Sequence, residues 1–349
     1  MDPWYVENLV CPVDKMPLSL RDDALVSQAG RKYPVVDGIP VMLIPEAEQT
    51  IGVASSSLAR AQGKNVADTR ATYLYLESLG ISEAEKEGLV KLARSDDRNI
   101  DPVVAYMVGA TSGNTYKHLI GTLKEYPIPD LRLPDSHGTS LLDLGCNWGR
   151  WSIAAARKGY SVAGIDPSLG AIMAARRVAR QLDAPNKYVV ADARYLPFKD
   201  SSFRVVFSYS VLQHLSKDNV RVVLSQLRKV LQPGGVSINQ MPNWLGVRSL
   251  YHQARRTFRE ARFFEVRYWS IPELQRVFEA DVGPSVVSVD CYFGLGLQKS
   301  DKHLMPPMIQ FAIELSEWLR SMSKKIDMMK YFADSIYITS VKPDEKTTR

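Results

Sequence analysis

The chain has 349 residues, 45% of them hydrophobic and 23% charged, an ordinary globular composition that excludes a disordered, collagen-like or coiled-coil protein and suggests about two domains with a remainder. Its 44 Lys and Arg exceed 38 Asp and Glu by six, an excess that permits anionic partners without demanding them, and nucleic acid is not expected because its binding needs a concentrated patch. Cys11, Cys146 and Cys291 are odd in number and far apart, so they form no paired zinc or disulfide framework and point to a reducing, cytoplasmic setting.

The chain opens MDPWYVENLV, which lacks the basic flank and apolar core of a signal peptide. No later run approaches 18 uninterrupted apolar residues, so no membrane span is expected. Residues 1–50 read as a small β-rich unit: short apolar runs flank a turn at Gln28-Ala29-Gly30 and a second at Asp37-Gly38, and Ile39 to Ile44 is a further strand. Cys11-Pro12-Val13 followed by Tyr33-Pro34-Val35-Val36-Asp37-Gly38-Ile39-Pro40-Val41-Met42 resembles the small zinc-ribbon activator proteins of transfer-RNA and release-factor methyltransferases. Where zinc-binding members place a second cysteine, Asp14 stands here, and one thiolate does not make a four-ligand site, so a metal-free domain is expected.

Residues 51–138 read as a helical connector or cap. Apolar spacing predicts helices over Ala71 to Leu79, Ser82 to Ala93 and Pro102 to Val108. The proline-rich stretch Tyr126 to Pro134 predicts an extended linker, with a boundary near Ser136.

From 139 to 343 strand-length apolar runs alternate with amphipathic segments. Strands are predicted at Ser140 to Leu144, Ser161 to Ile165, Tyr188 to Ala191, Val205 to Tyr209 and Val236 to Met241, with Val286 to Phe293 and Asp334 to Val341 as a closing pair. Helices are predicted at Gly149 to Lys158, Ser168 to Gln181 and Asp218 to Leu231, the last stopped by a turn at Pro233-Gly234-Gly235. Such alternation predicts an α/β fold, a doubly wound sheet of seven strands.

Three strand-ending acids, Asp143, Asp166 and Asp192, frame the glycine turn Gly145-Cys146-Asn147-Trp148-Gly149. Glycines there let a ligand approach the backbone, and an acid about 20 residues on suits ribose hydroxyls. A dinucleotide fingerprint was weighed, but the turn is not G-x-G-x-x-G, and Asp143 repels a pyrophosphate while attracting an ammonium group. The set resembles the class I S-adenosylmethionine-dependent methyltransferases of the type 11/25 kind, which have a Rossmann-like sheet. The resemblance implies that Asp143, Gly145, Cys146, Asn147 and Gly149 surround the methionine part of S-adenosylmethionine and that Asp166 holds the ribose. Pro167 and Ser168 then lie beside the adenine, Asp192 and Ala193 face its edge, and Ser208 to Ser210, including Tyr209, run toward the acceptor.

For the acceptor, His214 is the candidate base, and Tyr251, His252, Arg255 and Tyr268 are candidate substrate contacts in an arginine-rich insertion at 242–283. Those arginines read either as a solvated face or as a clamp for an acceptor's phosphate or carboxylate. In a second insertion, 296–332, Met308, Phe311, Ala312, Leu315, Trp318, Leu319 and Met322 form a stripe expected to pack on its own domain. Lipid-facing or dimer-forming roles are the alternatives. Trp148 and Trp151 are expected in the core. The fourth strand lacks the Asn/Asp-Pro-Pro-aromatic motif of amino-group methyltransferases of DNA and glutamine. The expected reaction is therefore O-methylation of a small or glycan- or lipid-linked metabolite. The alternatives are methylation of RNA or protein, suggested by the head, and a non-catalytic cofactor-binding module.

Overall fold

The structure, a computed structural model, describes residues 1–63, 100–110, 116–119, 122–294 and 296–344. Their contacts divide into two units, Met1–Ser202 and Phe203–Arg349.

In the first unit Asp2 caps α1 (Pro3–Asn8) by accepting the Trp4 amide N–H at 2.9 Å. The predicted β-rich head is an antiparallel sheet of β1 (Leu18–Arg21), β2 (Ala24–Ser27), β3 (Lys32–Val36) and β4 (Ile39–Pro40), paired in sequence order. The turns use left-handed backbone at Asp22 and at Asp37-Gly38. Cys11 is buried, with Sγ 3.1 Å from the Tyr33 hydroxyl. Helix α2 (Gly52–Ala61) follows, and the predicted helix at Pro102 lies in α3 (Pro102–Ala110). The helices predicted at Ala71 to Leu79 and Ser82 to Ala93 lie outside the described residues. Tyr126 to Pro134 has no regular secondary structure, as its prolines dictate.

Three parallel strands complete this unit: β5 (Ser140–Leu144), β6 (Ser161–Asp166) and β7 (Lys187–Val190), linked by α4 (Arg150–Arg157) and α5 (Leu169–Gln181). Their apolar residues are almost fully buried on both faces, as parallel strands require. The head lies along β7. Val41 pairs with Val190 in parallel, the Met42 N–H donates to the Val190 carbonyl at 2.7 Å, and the Val10 N–H donates to the Pro197 carbonyl at 2.9 Å. The buried Tyr5 hydroxyl meets the Tyr188 backbone.

The second unit contains β8 (Phe203–Ser208), α6 (Lys217–Val230), β9 (Leu231–Pro242), α7 (Val247–Arg255), α8 (Ile271–Asp281), β10 (Ser285–Cys291), α9 (Pro307–Ser323) and β11 (Ser335–Val341). β8 and β9 are parallel, whereas β11 is antiparallel to both β9 and β10. The mixed sheet runs β10-β11-β9-β8-β5-β6-β7, seven strands with the expected closing pair. One local expectation is corrected: Pro233-Gly234-Gly235 lies inside β9 and not in a turn before it. There the register jumps, with Phe203 opposite Leu231 and Val205 opposite Val236, so the extra residues form a bulge.

A second correction concerns α9. Its buried residues are Ile313 and Ser316, and Ser316 Oγ accepts the Tyr292 N–H at 3.0 Å. Met308, Phe311 and Trp318 are exposed instead. Helical spacing puts them on the face opposite Ile313, so the stripe does not pack on its own domain.

Candidate active site

The turn after β5 is built by backbone conformation. Gly145, Asn147 and Gly149 have φ of 73°, 51° and 82°, a left-handed region that glycine enters freely and asparagine tolerates. The Gly145 and Cys146 N–H groups both donate to the Ile165 carbonyl at 2.8 Å, which ties the turn to β6. Side-chain size is limited as well: a Cβ on Gly149 meets the Tyr188 hydroxyl at 2.6 Å and the Ala175 Cβ at 3.1 Å. Trp148 and Trp151 are buried, with the Trp148 ring 5.9 Å from that of Tyr126.

The three acids have different surroundings. Asp143 is 1% exposed and accepts the Ser152 hydroxyl at 2.6 Å; burial pushes its carboxyl up to about 7, against that hydrogen bond. It therefore lies beneath the turn, and its charge acts across the turn on anything bound above. Asp166 accepts the Asn147 N–H at 3.0 Å on one oxygen and the Ser168 N–H at 2.9 Å on the other. Burial raises it to about 6. A carboxylate has about four acceptor sites, so it keeps capacity for two further donors such as vicinal hydroxyls. Asp192 is gripped by the Arg194 guanidinium, Nη2 to Oδ2 at 2.7 Å, and Arg194 also donates to the Glu48 carbonyl. That clamp was not anticipated from sequence, nor was Ser152.

Ser168 caps α5 by accepting the Ala171 N–H at 3.2 Å and is buried. Cys146 is buried too, and burial pushes its thiol well up, so it is no nucleophile. Against these buried neighbours, Gly145, Asn147, Asp166, Pro167, Asp192 and Ala193 retain partial exposure. They stand at or just beyond the C-terminal ends of three parallel strands, where open α/β sheets bind ligands. The donor set fits a nucleoside with an amino-acid tail: a carboxylate for hydroxyls, a glycine turn for close approach and acids placed toward an ammonium.

In the second unit Ser208 is buried, with no hydrogen-bond partner for its hydroxyl. The Tyr209 hydroxyl donates to Asp290 at 2.9 Å, and Ser335 donates to the same carboxylate oxygen at 2.8 Å. Gln240 donates to Ser335 at 2.6 Å and accepts both the N–H and the hydroxyl of Ser210. This buried polar chain escaped the sequence reading, although an acid inside the apolar run Val286 to Phe293 was its visible signal.

His214 follows β8. Its Nδ1–H donates to the Phe264 carbonyl at 2.7 Å, and its ring stacks on that of Phe264 at 3.9 Å. Nε2 is thereby left as the acceptor and receives the Gln213 amide at 3.2 Å. Burial lowers the imidazole to about 4, so it is neutral at physiological pH. Tyr251, His252 and Arg255 share α7: the Arg255 guanidinium lies over the Tyr251 ring at 5.8 Å, and His252 Nε2 accepts from Arg248 at 3.3 Å. Tyr268 stands apart in the next segment beneath Arg256. Several of the crowded arginines hold the backbone: Arg256 donates to the Val266 carbonyl, and Arg267 to those of His214 and Phe263.

Comparison with known proteins agrees with this geometry. Residues 141–235 match the methyltransferase domain family model. The chain is 34% identical over 99 residues to a ubiquinone biosynthesis O-methyltransferase of Rhizobium rhizogenes, covering 28% of this chain and 39% of that protein. It is also 34% identical over 107 residues to a malonyl-[acyl-carrier protein] O-methyltransferase of Serratia marcescens, covering 30% and 40%. The matches thus span about 40% of these relatives' own length. Among solved structures, an S-adenosylmethionine-dependent methyltransferase of Methanosarcina mazei aligns with TM-score 0.42 and 21% identity over 64% of this chain and all of that one. The class defined by fold, site and family match is the class I methyltransferases: residues 141–235 lie in such a domain, and its cofactor is S-adenosylmethionine.

Proposed function

We propose that the protein transfers the methyl group of S-adenosylmethionine to a hydroxyl of a small-molecule or a glycan- or lipid-linked acceptor. The observation that carries the reading is the row of partly exposed positions from Gly145 to Ala193 around Asp166. Asp166 takes the ribose hydroxyls, Pro167 and Ser168 lie beside the adenine, and Asp192 with Ala193 meets its edge. Asp143, Gly145, Cys146, Asn147 and Gly149 surround the methionine portion. Ser208 and Tyr209 lead toward the acceptor, for which Tyr251, His252, Arg255 and Tyr268 supply contacts.

The bound cofactor supplies a sulfonium-activated methyl group, and the protein's task is to position and deprotonate the nucleophile. His214 is suited to that task by its fixed tautomer, which leaves Nε2 as the proton acceptor. The oxygen preference is supported by the absence of the amino-group motif and by the two O-methyltransferase relatives.

The test is calorimetric titration of wild type and Asp166→Ala with S-adenosylmethionine and, separately, NAD. Binding of S-adenosylmethionine alone, lost in the variant, is expected; binding of NAD in its place refutes the reading. Mass spectrometry of products from hydroxylated acceptors then separates the reactions, and exclusively nitrogen-linked methyl groups overturn O-methylation.

A further inference from the structure

Two segments of the second unit carry charge and apolar surface that methyl transfer does not use. Residues 244–268 hold six Arg against two Glu, and residues 299–332 hold six Lys or Arg against four Asp or Glu. Their joint excess of six equals the formal net charge of the whole chain, so the rest of the sequence is balanced. What looked like a diffuse basic excess is therefore concentrated in the two acceptor-side insertions.

Between these cations large apolar side chains stand in water. Phe263 is 93% exposed, Met308 82%, Phe311 67% and Trp318 59%. Phe263 has φ of 47°, and Thr257 and Phe258 are also left-handed at 54°, an uncommon backbone that costs about 1–3 kcal/mol per residue. The loop is braced regardless: Arg259 grips both Glu265 oxygens at 2.6 and 2.7 Å, and Arg267 donates to the Phe263 carbonyl at 3.2 Å. A braced, strained loop that holds a phenylalanine in water is not explained by folding. The segments are also joined, because Asn243 Nδ2, at the start of the first insertion, donates to the Tyr331 and Ala333 carbonyls at 2.7 and 2.9 Å.

We propose that these insertions form a docking surface for the anionic face of a lipid bilayer, with Phe263 and the Met308–Phe311–Trp318 face of α9 entering the interface. Charge complementarity selects this occupant. A second copy of the chain brings like charge against like charge, whereas anionic headgroups neutralise the Lys and Arg while acyl chains cover isolated aromatic and Met side chains. The docking is independent of the methyl-transfer reading and fails separately from it.

Co-sedimentation of the full chain tests it, with vesicles of phosphatidylcholine alone and of phosphatidylcholine mixed with phosphatidylglycerol, at low and high salt. Binding is expected at least about tenfold tighter to the anionic vesicles, and weaker as salt rises. Phe263→Ser combined with Phe311→Ser, or Lys324→Glu with Lys325→Glu, should each weaken it about tenfold or more while leaving circular dichroism and S-adenosylmethionine binding unchanged. Equal binding to neutral vesicles, no binding to either, or a homodimer dispersed by the same substitutions without vesicle binding overturns the proposal.

Discussion

Asp143→Asn isolates the cost of a buried charge under the cofactor turn. The carboxylate is 1% exposed, its one hydrogen bond listed by geometry is from Ser152, and burial lifts it from 3.8 to about 7. A raised carboxyl binds its proton more tightly in the folded chain, so the folded state takes up more protons than the unfolded one between about pH 4 and 7. Stability therefore falls as pH rises through that window, and the deficit is complete above about pH 7. A shift of about three units corresponds to about 4 kcal/mol. Asparagine keeps an acceptor for Ser152 and removes the charge, although its amide costs something of its own at every pH. The informative quantity is thus the slope with pH. Urea denaturation at intervals across about pH 4 to 9 should show wild type losing stability relative to the variant by up to about 4 kcal/mol. Parallel pH profiles refute the argument.

Gly149→Ala combines a φ of 82° with a Cβ 2.6 Å from the Tyr188 hydroxyl; it should cost about 3 kcal/mol, lower Tm by roughly 5–10 °C and weaken S-adenosylmethionine binding. An unchanged melting curve contradicts this. His214 is depressed to about 4, so its contribution is present above about pH 6.5 and is lost as pH falls toward 4. Phe264→Ala should bring its NMR titration back toward 6.5, and a midpoint that stays near 4 shows that the stacked ring is not what excludes water. Asp290→Ala leaves the Tyr209 and Ser335 hydroxyls without this acceptor and should destabilise the chain by about 2–4 kcal/mol in denaturant unfolding, whereas a loss under about 0.5 kcal/mol shows that the network is dispensable.

The strand and helix pattern from Ser140 onward was legible because each element carries its own periodicity: Leu141, Leu142 and Leu144 run apolar through a strand buried on both faces, and the glycine turn states its conformation in its residue types. The cofactor-side positions were readable for the same reason, lying at strand ends fixed by local pattern. What lay outside local pattern was missed. Pro233-Gly234-Gly235 reads as a turn on composition, yet pairing with β8 absorbs it as a bulge. The α9 stripe has the spacing of a packed helix, but periodicity shows only that an apolar face exists and not which face its neighbours cover.

The sequence by itself determined the alternating α/β architecture, the left-handed turn at Gly145 to Gly149 and the identity of the strand-ending acids, because these follow from residue type and spacing over a few positions. Only the tertiary structure decided what each acid touches, that His214 is neutral beneath a phenylalanine 50 residues away, and that the charged insertions present their aromatics to water. Burial and hydrogen-bond partners come from residues distant in the chain, and they, more than residue identity, set protonation and exposure.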